Sequence, residues 1–224
     1  MSSAAERSSP LEGRRLYLCT ADRPDLLDFV AQCVEGGVDV VQFRDKDLEA
    51  RDIVERATAL QSLCEDVGVP FILNDRPDLA LEVGADGTHV GQQDVSASLA
   101  RRILGPCAIV GLSTHCESEL ESASGEPVDY VSVGPVVPTP TKPGRPGTGT
   151  GLVSYAAERF SGPFFVTGGV NPDSVAQLAA AGARRFVVVR YLTQSDAPRA
   201  AASKLREAID GAVEEGAGRA VGSE

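Results

Sequence analysis

Lysine is scarce in this sequence: the 21 basic residues are arginines except for Lys46, Lys142 and Lys204. Positive charge as a whole is also short, since 32 acidic residues outweigh 21 basic ones for a formal net charge of −11. A chain so balanced lacks the basic footprint that nucleic acid or an anionic membrane surface requires, which excludes both as main partners. An anionic ligand must then be held by local positive charge. Histidine is limited to His89 and His115, neither spaced with a cysteine or the other histidine as transition-metal ligands are. Both read as packing residues, with His115 two positions beyond Ser113. The cysteines (Cys19, Cys33, Cys64, Cys107, Cys116) are odd in number and include no C-x-x-C, which excludes a disulfide framework or zinc site and leaves buried reduced thiols. There is no apolar run of about 18 residues and no basic segment leading into an apolar one, so neither a membrane span nor a secretory signal is read and a cytoplasmic location is expected. Walker, G-x-G-x-x-G and G-x-S-x-G motifs are missing too. The acidic residues form no DDxxD run and read as a solvated surface, a composition that also suits solubility at high salt.

What is abundant is proline and glycine in one place. Residues 134–151, GPVVPTPTKPGRPGTGTG, follow the buried-looking run DYVSV. Prolines at 135, 138, 140, 143 and 146 bar helix and central strand, while the glycines let backbone approach a guest closely. Thr139, Thr141 and Lys142 put two hydroxyls and a compact cation within four positions, groups that suit phosphate oxygens. An interdomain linker is the competing reading. The strand and helix rhythm that resumes at once argues against it.

That rhythm runs through the chain. Short apolar runs at 16–20, 38–44, 70–75, 87–91, 108–113, 130–136, 163–169 and 184–192 alternate with helical patterns such as 47–66. Eight units over roughly 195 residues, about 24 each, predict a single-domain (βα)8 barrel, with a doubly wound open sheet as the alternative. Residues 1–13 and 211–224, rich in Ser, Ala, Gly and Glu, are expected to be a disordered extension and a flexible tail around a barrel of 14–210. In a barrel the site lies at the C-terminal strand ends, and the polar residues gather there. Gln42, Arg44 and Lys46 fall at i, i+2 and i+4 of the second run and should project from one face. Asn74 and Asp75 end the third run, Asp94 follows the fourth and Ser113 ends the fifth. Gly168-Gly169 then leads to Asn171-Pro172, an N-cap with proline at the first helical position, which predicts a helix N-terminus with free donors at a phosphate corner. Asp75 and Asp94 taken singly read as turn residues; together they suit magnesium, which takes few carboxylates and completes its shell with water and phosphate.

These motifs, VQFRDK, ILNDRPDLALEVGADGTHVGQQD, GLSTH, VGPVVPTPTKPGRPGTG and TGGVNPD, resemble the thiamine phosphate synthase family over about residues 16 to 209. The resemblance implies a transferase that joins 4-amino-2-methyl-5-hydroxymethylpyrimidine diphosphate to 4-methyl-5-(2-hydroxyethyl)thiazole phosphate, releasing diphosphate. It implies that Gln42, Arg44, Lys46, Asn74, Ser113 and Lys142 bind the pyrimidine diphosphate, with Lys142, Ser113 and Arg44 carrying the catalysis. Asp75 and Asp94 would bind Mg2+, and Thr139, Thr141, Gly169, Val189 and Arg190 would form the thiazole phosphate site. The reaction implied proceeds by diphosphate departure and capture of a pyrimidine-stabilised cation, which needs no strong base or covalent nucleophile; none is evident here. Two departures stand out: TADRP where the family reads TDR, and VVRYL where VVSAI is common. Arg190 is expected to swing over the thiazole phosphate, against the alternative that it meets a surface carboxylate. A thiazole tautomerase, for which His115 would matter, and a non-catalytic phosphate-binding barrel are the rival functions. The oligomeric state, monomer or homo-oligomer, is left open.

Overall fold

The computed structural model describes residues 10–138 and 146–221. Eight parallel strands close in sequence order into a barrel, with β8 pairing back onto β1. They are β1 (Leu16–Thr20), β2 (Val40–Phe43), β3 (Phe71–Asn74), β4 (Gly87–Val90), β5 (Ile109–Thr114), β6 (Tyr130–Val133), β7 (Phe164–Val166) and β8 (Phe186–Val188). Around them lie α1 (Leu26–Glu35), α2 (Ala50–Asp66), α3 (Pro77–Val83), α4 (Ala97–Leu104), α5 (Glu117–Ala123), α6 (Gly151–Arg159), α7 (Pro172–Ala180), the short α8 (Arg190–Thr193) and α9 (Pro198–Val221). The closed barrel excludes the open doubly wound sheet.

Each strand is buried on both faces, as parallel strands covered by helices must be. The helices present one apolar stripe to the outer face of the sheet: in α2 the buried residues are Ile53, Ala57, Leu60 and Cys64, spaced by three or four. Side chains on the inner face alternate with these and change character along the barrel axis. Leu11, Val40, Ile72, Ile109 and Phe165 fill the lower interior together with the rings of Tyr17 and Tyr130. Above them Cys19, Gln42, Asn74, His89, Ser113 and Ser132 turn the interior polar and line a cavity. The fold thus sets a dry plug beneath a polar bowl.

The lower rim is tied by aspartates one position before alternate strands. Asp39 accepts from the backbone N–H of Arg15 and Leu16 at 2.8 Å each and pairs with Arg206 of α9 at 2.8 Å. Asp86 accepts from Phe71 N at 2.8 Å, and Asp129 from Val110 N at 2.7 Å and from Arg101 at 2.6 Å. Each satisfies a donor that the strand ladder leaves open at its start.

Several expectations change here. Leu11, assigned to the disordered extension, is buried in the plug. Residues 211–221, read as a flexible tail, continue α9, and Val213 packs on the core because it falls four residues after the buried Ile209. The eighth strand is short: it ends at Val188, and Arg190 opens α8. Of the cysteines, Cys19, Cys33 and Cys64 are buried, the thiols of Cys33 and Cys64 pushed up to about 12 by desolvation, and Cys19 also faces the cavity, but Cys107 and Cys116 are exposed.

Candidate active site

At the C-terminal end of the strands the bowl opens as a cavity of about 320 Å³. Gln42, Arg44, Lys46, Asn74, Asp75, Asp94, Ser113 and Val189 all line it, so residues dispersed over five strand ends meet in one place. Only Gln42 of the first three lies within its strand, because β2 stops at Phe43. Alternation is prolonged by the bond from Arg44 N to Thr20 O at 2.8 Å, which holds the chain beside β1 for one further step. Lys46 then extends to Asp75, with 2.8 Å between Nζ and Oδ2.

Asp75 has φ 61°, a left-handed conformation that few residues other than glycine, asparagine and aspartate accept without strain. Its backbone N–H is fixed to His89 O at 2.8 Å. Asp94 is held by Gly91 N at 2.8 Å, and a side chain added at Gly91 would collide with that carboxylate. The two carboxyls come within hydrogen-bonding reach of each other. Burial, then the neighbouring Asp94, pushes Asp75 up against the pull of Lys46. Burial also acts to raise Asp94, but its bonds to Asp75 and Gly91 N and the charge of Lys46 outweigh it and hold Asp94 below the usual carboxylate range. Two like charges this close favour a shared proton or a shared cation. The two carboxylates offer only oxygen, which suits a hard cation, but among the described residues no cluster of three or more His, Cys, Asp or Glu that could hold a metal occurs, so the pair would not complete a site alone. Two carboxylates with the remaining ligands from water and phosphate is how magnesium is commonly held.

Beneath the rim runs a hydrogen-bonded chain that sequence reasoning missed. Cys19 Sγ donates to Gln42 Oε1 at 3.1 Å, and Gln42 Nε2 donates to Tyr17 OH at 2.9 Å. Tyr17 OH meets Tyr130 OH at 2.8 Å, and Tyr130 OH meets His89 Nδ1 at 3.0 Å. His89 Nε2 reaches Ser113 Oγ at 2.9 Å, so the histidine read as packing orients a predicted site hydroxyl. Burial pushes both phenols well above their ordinary range and keeps them neutral. His115 also faces the cavity, clamped by Glu119 through Nδ1 at 2.8 Å and its backbone N at 2.7 Å. The signal available in sequence was the period of two: Tyr17, Cys19, Gln42, Asn74, His89 and Ser113 share the inward phase.

A second cavity of about 300 Å³ adjoins the first between Pro135, Gly168, Gly169, Asn171, Val189 and the exposed Arg190. Gly168 (φ 93°) and Gly169 (φ 80°) are required because a Cβ on either would meet Pro135, Val136 or Val137 of the loop after β6. The two arms of that loop are joined by Thr148 N to Pro135 O at 2.8 Å and Gly149 N to Val136 O at 3.0 Å. Thr139, Thr141 and Lys142 lie outside the described residues. The N-terminus of α7 differs from expectation: Asn171 Oδ1 accepts from the N–H groups of Asp173 and Ser174 at 2.9 and 3.0 Å, and Asn171 N in turn donates to Ser174 Oγ at 3.0 Å. A serine at the third helical position closes this capping box, so those donors serve the helix rather than a ligand.

A closed (βα)8 barrel whose upper mouth gathers cations, a carboxylate pair and an oriented hydroxyl belongs to the class of barrel enzymes that act on anionic small molecules. The family is shown by comparison. Residues 16–192 match the family model described as thiamine monophosphate synthase, and the chain belongs to that family. It is 46% identical over 205 residues to the thiamine-phosphate synthase of Thermobifida fusca, covering 89% of this chain and 94% of the relative. To the thiamine-phosphate synthase of Mycobacterium bovis it is 43% identical over 218 residues, covering 91% and 98%. The solved thiamine phosphate pyrophosphorylase of Pyrococcus furiosus superposes with a TM-score of 0.81 at 27% identity, covering 89% of this chain and 96% of that one.

Proposed function

We propose that this protein forms thiamine phosphate by transferring the (4-amino-2-methylpyrimidin-5-yl)methyl group of 4-amino-2-methyl-5-hydroxymethylpyrimidine diphosphate to the ring nitrogen of 4-methyl-5-(2-hydroxyethyl)thiazole phosphate, with release of diphosphate. The observation that carries this reading is the convergence of Arg44 and Lys46 with Asp75 and Asp94 on one cavity. An isomerase of the thiazole alone has no use for that combination, and a passive binding barrel leaves the facing carboxylates unexplained.

In this reading Arg44, Lys46 and Lys142 take the diphosphate oxygens, with Arg44 able to grip two at once through its planar fork. Asn74 and Gln42 hold the pyrimidine end, and Ser113, oriented by His89, donates to the leaving group. When bound by Asp75 and Asp94, magnesium supplies charge that stabilises the departing diphosphate. The neutral tyrosine floor and the plug beneath it exclude water, and neither offers a base or nucleophile to divert a cationic pyrimidine. The thiazole phosphate lies in the adjoining cavity beside Gly169, Val189 and Arg190, and the hydroxyls of Thr139 and Thr141 are further donors for it. The guanidinium of Arg190 replaces the small hydroxyl common in the family. The setting is the cytoplasm, and the substrates are small molecules: the net charge of −11 speaks against nucleic acid, and no described helix is long and apolar enough to cross a membrane.

The test is purified protein with both substrates and magnesium, followed by chromatography. Thiamine phosphate is the expected product. Its absence, with both substrates intact, would overturn the proposal.

A further inference from the structure

Asp45 stands between the two cations Arg44 and Lys46 but does not line the cavity. Its carboxylate is turned away from the mouth and occupied by backbone. Oδ1 accepts from Asp47 N at 2.9 Å and Leu48 N at 3.2 Å, closing the turn that follows β2. Oδ2 accepts from Asp22 N at 3.1 Å, a bond that crosses to the loop after β1. Asp22 is itself tied to α2, its Oδ1 receiving Arg56 Nε at 3.2 Å. The segment carrying both cations is therefore held at its start by Arg44 N on Thr20 O, at its centre by Asp45, and at the tip of Lys46 by Asp75. The central tie joins this loop to the loop after β1 through backbone, whereas the tie to Asp75 in the loop after β3 runs through the Lys46 side chain itself.

We propose that Asp45 is a positioning residue for diphosphate binding: by taking three backbone N–H groups from two loops it fixes the chain direction that aims Arg44 and Lys46 into the same cavity. This rests on the reading of that cavity as a diphosphate site. The physical reason is that both side chains are long and lose rotamer freedom on binding, so a wandering backbone adds to the ordering the ligand must impose. A carboxylate receiving backbone N–H groups makes charge-assisted bonds, stronger than a neutral acceptor would make. The negative charge spent on the backbone also leaves neither cation paired with its neighbour in sequence.

Asp45→Ala and Asp45→Asn separate the two parts of the device. Asparagine keeps an acceptor at Oδ1 for the turn and sets an amide N–H against Asp22 N, so it breaks the crossing bond alone. The probe is inorganic diphosphate with magnesium, titrated calorimetrically into wild type and both variants, alongside steady-state kinetics with each substrate varied. The added ordering of two long side chains should weaken binding by about tenfold, which is the rise expected in the diphosphate Kd and pyrimidine diphosphate KM for Asp45→Ala. The Asn variant should show roughly a threefold rise, with the thiazole phosphate KM unchanged in both. A merely structural role would lower the melting temperature without separating the two KM values. Wild-type binding with unchanged diphosphate affinity in Asp45→Asn overturns the inference alone, even where Asp45→Ala fails to fold. No diphosphate binding by wild type overturns the diphosphate reading and the inference with it.

Discussion

Gly111→Ala probes the polar layer beneath the cavity. A Cβ at this position on β5 meets the Tyr130 ring and comes to 2.5 Å from His89 Nδ1. Neither neighbour can withdraw easily. Tyr130 is fully buried, packs edge-on to Phe165 with centroids 5.3 Å apart, and holds both Tyr17 and His89 through its hydroxyl. His89 is restrained at its other nitrogen by Ser113. Forcing a methyl into a filled interior costs about 1–3 kcal/mol, and losing the His89–Tyr130 bond adds about 1 kcal/mol. The sum, about 2–4 kcal/mol, corresponds in a chain of this size to a drop in Tm of roughly 5–15 °C. Calorimetric melting measures it, and kcat should fall as well because a displaced His89 no longer orients Ser113. A Tm within about 1 °C of wild type with normal kcat would refute the tight layer.

Removing the carboxylate pair should be selective: Asp75→Ala or Asp94→Ala should abolish most turnover with little change in melting, and excess chelator should do the same to wild type, while full activity in chelator would contradict the magnesium role. Lys142→Ala should cost about 2–4 kcal/mol in kcat/KM, as loss of a preorganised charge on a leaving group does; a change under about fivefold, near 1 kcal/mol, would reduce the loop to a linker. Arg190→Ser should raise the thiazole phosphate KM several-fold and leave the pyrimidine diphosphate KM alone, which steady-state kinetics decides. Gly211→Ala, where an added Cβ meets nothing within 4 Å, should stabilise by about 0.5–1 kcal/mol if α9 continues through this position, and chemical denaturation would detect no gain if the segment is frayed.

The barrel was legible because parallel strands buried on both faces leave compact apolar runs, and seven of the eight predicted runs contain the whole observed strand, β5 extending one residue further to Thr114. Strand-end residues were legible for the same reason: a barrel gives its C-terminal ends one common focus, so Gln42, Asn74, Asp75 and Ser113 had to approach one another. The inner network was not. Tyr17 and Tyr130 sit in runs whose composition reads as core, and their hydroxyls find partners only once register is fixed: His89 stands opposite Gly111, whose missing side chain makes room for the Tyr130 ring. The capping box at α7 was half visible, since Asn171 announces a cap whereas Ser174 shows only in the fold that it consumes the donors. The role of Asp39 was equally hidden. One aspartate before a strand looks like a turn residue, yet it closes the barrel floor through Arg15, Leu16 and Arg206.

Quantifying diphosphate and thiamine phosphate together, with each substrate omitted in turn, separates condensation from isomerisation and from passive binding. Condensation yields equal amounts of the two products, formed only when both substrates and magnesium are present. Thiazole phosphate changed without diphosphate release, or diphosphate released without thiamine phosphate, would contradict it.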